Sequence, residues 1–202
     1  MIGVDRLDYS KGLIQRLDAF GIFLANHSEW LGKLTYLQIT PTNRTEIPEY
    51  SELQAALESA AGRINGKYGE VSWTPIRYVN RVHSRSVLAG LYRTARVGLV
   101  TPLRDGMNLV AQEYVAAQDP DDPGVLILSR FVGAAINFRR SVLVNPYDAE
   151  LPSLRRQTRM HLTQIDFLRS DGQHKKAEFR DSKAVGGTQP TALPSSPVRA
   201  VF

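Results

Sequence analysis

Arg6 and Lys11 sit in one polar run, Asp5-Arg6-Leu7-Asp8-Tyr9-Ser10-Lys11-Gly12, and a helical pattern begins directly after it. Two cations arriving just ahead of a helix N-terminus converge positive charge on one point, which suits a diphosphate. Ser10 is placed to cap that helix. A second reading has both cations spent on Asp5 and Asp8 as ordinary surface ion pairs. The residues alone do not decide between the two.

A second run, Thr101-Pro102-Leu103-Arg104-Asp105-Gly106-Met107-Asn108-Leu109, continues through Val110 and Ala111 to Gln112 and Glu113. Gly106 permits backbone conformations that turn amide N–H groups toward a ligand. Asp105 falls just before a predicted helix and Glu113 inside it, a little over two helical turns further on. A loop carboxylate suits sugar hydroxyls, and a helix carboxylate suits a ribose, as in other nucleotide folds. The competing reading pairs Asp105 with Arg104 and leaves Glu113 to water.

Three weaker signals follow. Arg44, in Pro41-Thr42-Asn43-Arg44, has the planar fork that grips a phosphate, although a solvated arginine fits the same position. The stretch Ala61-Gly62-Arg63-Ile64-Asn65-Gly66-Lys67-Tyr68-Gly69 reads as a helix terminus and turn. The four histidines, at 27, 83, 161 and 174, lack metal-ligand spacing. His83 alone falls in a strand-end loop, where its backbone can meet a base.

These residues need elements to hold them. Residues 1–4 read as the end of an apolar strand, and 5–11 as a loop. Leu13, Leu17, Phe20 and Leu24 recur at helical spacing. Strand patterns follow at 34–40, 71–79, 97–101, 124–129 and 141–144; helical patterns lie at 49–64, 84–95 and 108–117. Strands alternating with helices predict an α/β fold, a Rossmann-like parallel sheet with helices on both faces and right-handed connections. Ligands of such sheets lie beyond the carboxyl ends of the strands. The loops at 5–11, 41–45, 81–84 and 102–108 are therefore the ones to watch.

Composition sets the outer limits. The 202 residues are 43% hydrophobic and 22% charged, which suits one domain with an appendage. There are no cysteines, so disulfides and thiolate metal sites are excluded. Apolar runs such as 125–128 are far too short to cross a bilayer, and no signal peptide is visible. A cytoplasmic protein without a membrane partner is expected. Residues 1–150 hold 16 basic and 16 acidic residues, so the net charge of +5 belongs to 151–202. That tail includes a Gly/Thr/Pro/Ser run at 186–197 and is expected to be largely disordered, with one short helix near 154–167. Its charge is scattered and lacks interleaved aromatics, so nucleic acid is not the expected partner.

The segments VDRLDYSKG, QITPTNR, AGRINGKYG, TPLRDGMNLVAQEYVAAQ and VNPYD, in this order, resemble the trehalose-6-phosphate synthases, the retaining glycosyltransferases of family 20. The resemblance covers residues 1 to about 148. It implies the GT-B architecture, two Rossmann-like domains facing across a cleft, with this chain resembling the C-terminal, donor-binding one. The implied partners are UDP-glucose and glucose 6-phosphate, the products α,α-trehalose 6-phosphate and UDP. No cofactor or catalytic metal is implied, and a homo-oligomer is compatible at full length.

Roles follow by resemblance for the matched positions. Arg6 and Lys11 are implied to bind the diphosphate, and Asp105 the transferred glucose. Gly106, Met107 and Asn108 belong to the same donor-binding loop. Leu109, Val110, Ala111, Gln112 and Glu113 are implied to contact the UDP, with Glu113 on the ribose. His83 is implied to reach the uracil by its backbone, and Arg44 the phosphate of the acceptor. The leaving phosphate itself serves as base in such enzymes.

Two departures temper these expectations. The sequence begins inside a strand, so a fragment inactive alone is expected, with a non-catalytic sugar-nucleotide-binding module as the alternative. Beyond Asp148 the resemblance fades, and Asn137 stands where the family usually has glutamate.

Overall fold

The computed structural model describes residues 1–41, 48–138 and 140–148. Arg44 and the tail at 151–202, with its expected helix at 154–167, lie outside the described residues.

Six short strands build one sheet among the described residues: β1 (Ile2–Val4), β2 (Tyr36–Ile39), β3 (Ile76–Val79), β4 (Val97–Val100), β5 (Val125–Ser129) and β6 (Val142–Val144). Their spatial order is β3-β2-β1-β4-β5-β6, and every neighbouring pair is parallel. This is the strand order of the dinucleotide-binding fold. The chain runs outward from β1 to β3, returns to the middle, and runs outward again from β4. The loops leaving β1 and β4 therefore diverge from adjacent strands and open a crevice between them.

Four helices among the described residues cover the sheet: α1 (Leu13–Asn26), α2 (Pro48–Tyr68), α3 (Arg85–Thr94) and α4 (Leu109–Ala117). Strand alternation sorts the core into two layers. On one face α1 and α2 pack Leu17, Phe20, Leu24, Leu57 and Ile64 over Tyr36 and Ile76. On the other, α3 and α4 bring Tyr92, Ala111 and Tyr114 against Ile2, Val4, Ile39, Val100 and Leu128. The expected helices on both faces are present.

Three local expectations need correction. The helix read at 49–64 does not stop there: α2 runs on through Gly62, Asn65 and Gly66, and the terminus expected within 61–69 comes only at Tyr68. Asn65 has a tertiary task there: its side-chain amide donates to the Ile76 carbonyl and its oxygen accepts the Ile76 N–H, so it pairs with β3 as a backbone would. The strand pattern at 71–79 is realised only from Ile76, and Val71 is fully exposed in the preceding turn. The loop at 5–11 ends in a 3-10 turn, Tyr9–Lys11, rather than running free into α1.

Candidate functional site at the β1–β4 crevice

Asp8, not Ser10, does the capping in the first loop. Its Oδ1 accepts from the Ser10 N–H (2.8 Å) and the Ser10 hydroxyl (2.7 Å) and starts the 3-10 turn. Together with the neighbouring Lys11 and Arg6, these bonds outweigh the opposing effect of burial and hold the Asp8 carboxyl below its usual range. The residue before α1 is Gly12, with φ 63° and no side-chain cap. A Cβ at that position would lie 3.0 Å from the Thr101 carbonyl, so glycine lets the first loop close onto the second.

The two loops are joined by backbone as well. The Ser10 carbonyl accepts from Leu103 N–H (2.7 Å) and Arg104 N–H (3.3 Å). The loop after β5 ties on from the other side, with Gly133 N–H donating to the Gly106 carbonyl (2.8 Å) and Asp105 N–H to the Phe131 carbonyl (3.3 Å). Tyr9 anchors the first loop outward by donating its hydroxyl to the Glu49 carbonyl at the start of α2 (2.6 Å).

Across this joint Lys11 Nζ meets Asp105 Oδ2 at 2.6 Å, with both side chains largely buried. Asn108 Nδ2 donates to the same oxygen (2.7 Å), and Gly106 N–H donates to Oδ1 (2.9 Å). Burial alone would raise the Asp105 pKa. The Lys11 hydrogen bond and charge, with the two amide donors, outweigh it and hold the carboxyl below its usual range. The alternative pairing of Asp105 with Arg104 is absent.

Asn108 also caps α4, accepting the Ala111 N–H on its side-chain oxygen (3.1 Å). It does so at φ 49°, in the left-handed region that asparagine tolerates better than most residues. The cap occupies the Ala111 amide, and the Ala111 side chain is buried in the core. The first-turn amides of Leu109 and Val110 remain without intrahelical acceptors, at the positive end of the helix. Met107, Leu109, Gln112 and Glu113 are exposed around that end.

Arg6 is exposed and forms no ion pair among the described residues, so the reading that spends it on Asp5 does not hold. Asp5 is buried and bonds Arg16 instead, at 2.5 Å. Sequence reasoning missed this pair. Burial pushes the Asp5 carboxyl up, and the Arg16 guanidinium pulls it back. His83 is half-buried in the loop after β3, two strands from β1 in the sheet. Among the described residues no three His, Cys, Asp or Glu side chains gather as a metal site, and no helix is long and apolar enough to cross a membrane.

Residues 1–164 match the family model described as Glycosyltransferase family 20. The match runs past residue 148, where the motif resemblance fades. The chain is 63% identical over 150 residues to trehalose-6-phosphate synthase of Sinorhizobium fredii, covering 74% of this chain and 32% of that protein. It is 52% identical over 166 residues to the Enterobacter enzyme of the same name, covering 81% and 35%. The chain thus spans about a third of the length of these curated relatives. Among solved structures, the UDP-forming α,α-trehalose-phosphate synthase of Burkholderia xenovorans in complex with glucose-6-phosphate is similar at TM-score 0.76 and 48% identity, over 85% of this chain and 38% of that one. An E. coli structure bound with UDP-2-fluoro glucose is similar at TM-score 0.74 and 43% identity, over 92% and 44%.

Proposed function

The chain belongs to glycosyltransferase family 20, and from that premise we propose that its β1–β4 crevice holds UDP-glucose for retaining transfer to glucose 6-phosphate, giving α,α-trehalose 6-phosphate and UDP. The observation that carries this reading is the Lys11–Asp105 pair, 2.6 Å apart beside the N-terminus of α4. It sets a cation and an ionised carboxylate at the mouth of the crevice where the fold places nucleotides.

In this reading the diphosphate lies against the open amides of Leu109 and Val110, with Lys11 and Arg6 as its cations. Asp105 accepts hydroxyls of the glucose, and the main chain of Gly106, Met107 and Asn108 forms the wall beside it. Glu113, exposed one turn beyond the cap, takes the ribose hydroxyls, with Gln112 alongside. Ala111 acts through Asn108 rather than by direct contact. The loop bearing His83 meets the base, and Arg44 meets the acceptor phosphate.

The chemistry follows from charge. As the sugar–oxygen bond breaks, positive charge develops on the sugar ring and negative charge on the departing diphosphate. Cations and helix amides already fixed around that diphosphate stabilise it without reorganising, each such group contributing on the order of 3 kcal/mol to the barrier. The neutralising role falls to Arg6, Lys11 and α4, so UDP affinity should survive a chelator.

Isothermal calorimetry of the 202-residue polypeptide with UDP tests the proposal. UDP should bind, and Arg6→Ala should weaken it about tenfold, the worth of one hydrogen bond to a charged group. Absence of UDP binding at millimolar concentration, or an Arg6→Ala variant that binds as the parent does, would overturn it.

A further inference from the structure

Arg16 lies on α1, faces inward, and is almost completely buried. Its guanidinium spends its donors on four acceptors from four places. NH1 donates to Asp5 Oδ2 at the end of β1 (2.5 Å) and to Gln38 Oε1 on β2 (3.2 Å). Nε donates to Thr101 Oγ1 just past β4 (2.9 Å), and NH2 to the Lys11 carbonyl in the first loop (3.2 Å). Gln38 is itself held by the Tyr36 hydroxyl and by Thr40 Oγ1. Space for this cluster exists because β1 carries Gly3 there; a Cβ would lie 2.7 Å from Gln38 Oε1 and 2.8 Å from Arg16 NH1.

A buried charge pair is weak evidence for stability, since well-packed apolar residues often serve as well. Its geometry is the informative part. Three of the four acceptors belong to the loops that form the crevice, and two of these flank the Lys11–Asp105 pair: one is the main chain of Lys11, the other the first residue of the run that leads to Asp105. A planar fork with donors on three nitrogens can span both, whereas a lysine ammonium, with all its donors on one atom, cannot.

We propose that Arg16 is a positioning residue, which fixes the spacing between the loops after β1 and β4 and so sets Lys11 opposite Asp105 in the sugar-nucleotide site. Asp5 and Gln38 hold the fork in the plane that makes both reaches at once. Arg16 touches no ligand. This inference deepens the proposed function and rests on it for the identity of the ligand, but its geometric content stands without one.

The test uses two variants of the 202-residue chain and two readouts. Thr101→Val removes one reach and leaves the Asp5 pair intact. The double variant Asp5→Asn/Arg16→Met removes both charges together, so that neither is left buried alone. The first readout is the titration of the Asp105 carboxyl by carbon-13 NMR without ligand. It should move up toward the ordinary aspartate range in both variants, as Lys11 is no longer held opposite. The second readout is UDP affinity, expected to weaken about tenfold through misplacement of the loops. Ile64→Val, which trims the core on α2, serves as control: it should lower the unfolding midpoint and change neither readout. A folded Thr101→Val variant in which Asp105 titrates as in the parent and UDP binds unchanged would overturn the inference, even if the double variant does not fold. If the parent chain binds no UDP, the functional reading fails, and the Asp105 titration still decides the positioning role.

Discussion

The carboxyl edge of the sheet is built in two ways. At β1 and β4 the loops are stapled to each other by main-chain bonds, by the Lys11–Asp105 pair and by the buried Arg16 beneath them. Beyond β3 the loop carrying His83 is largely surface, with Val82 exposed and α3 capped simply by Ser84. The contrast tracks what each end is proposed to meet. A diphosphate departing as the leaving group needs charges fixed in advance, because reorganisation would raise the barrier. A base needs little more than a surface and a few main-chain groups. Positional precision is concentrated where charge changes.

That contrast can be broken most directly at Gly12. Gly12→Ala forces a side chain into φ 63° against the Thr101 carbonyl, and the left-handed backbone alone costs about 1–2 kcal/mol. Urea unfolding should show at least that loss, and UDP binding should fall with it. A variant as stable as the parent would show that the joint between the loops is loose.

Asp105 gives an intermediate effect with a definite pH signature. Its folded pKa is depressed, so its ionisation favours the folded state. That contribution is fully present above the unfolded aspartate value of about 3.9 and is lost as pH falls through the folded value. Asp105→Asn should therefore be less stable than the parent at pH 7, and the gap should close below about pH 4. Urea midpoints of the two proteins across that range provide the check; a gap independent of pH would mean that the Lys11 pairing is not electrostatic.

The smallest effect belongs to the β3 side. His83→Ala leaves the main chain in place, so stability should change by no more than about 0.5 kcal/mol, as at ordinary surface positions. UDP affinity, measured by the same calorimetry, should move far less than in Arg6→Ala. A loss as large as that of Arg6→Ala would show that the base end is as tightly built as the phosphate end.

Much of this was legible in the sequence, and the lapses share a cause. The stripe of Leu13, Leu17, Phe20 and Leu24 announced α1 because burial repeats at helical spacing. Asp105 and Lys11 were readable as chemistry because each stands in a loop just ahead of a helix. Ser10 was misread as the cap because capping residues adjoin, and only geometry separates Asp8 from Ser10. Asn65 passed for a turn residue because its partner, Ile76, lies eleven residues on in another element. Arg16 did carry a signal: it stands three residues after Leu13 and four before Phe20, inside the apolar stripe. A charge in that place asks for a buried partner.

The Ser10 carbonyl, shared by the amides of Leu103 and Arg104, has a bearing on how freely this protein can drift. Every residue but proline presents the same amide and carbonyl. Side chains at positions 10, 103 and 104 can thus be exchanged while the gap they span keeps its width. A library randomised there, with proline left out, would retune the neighbourhood of the crevice without redrawing its outline.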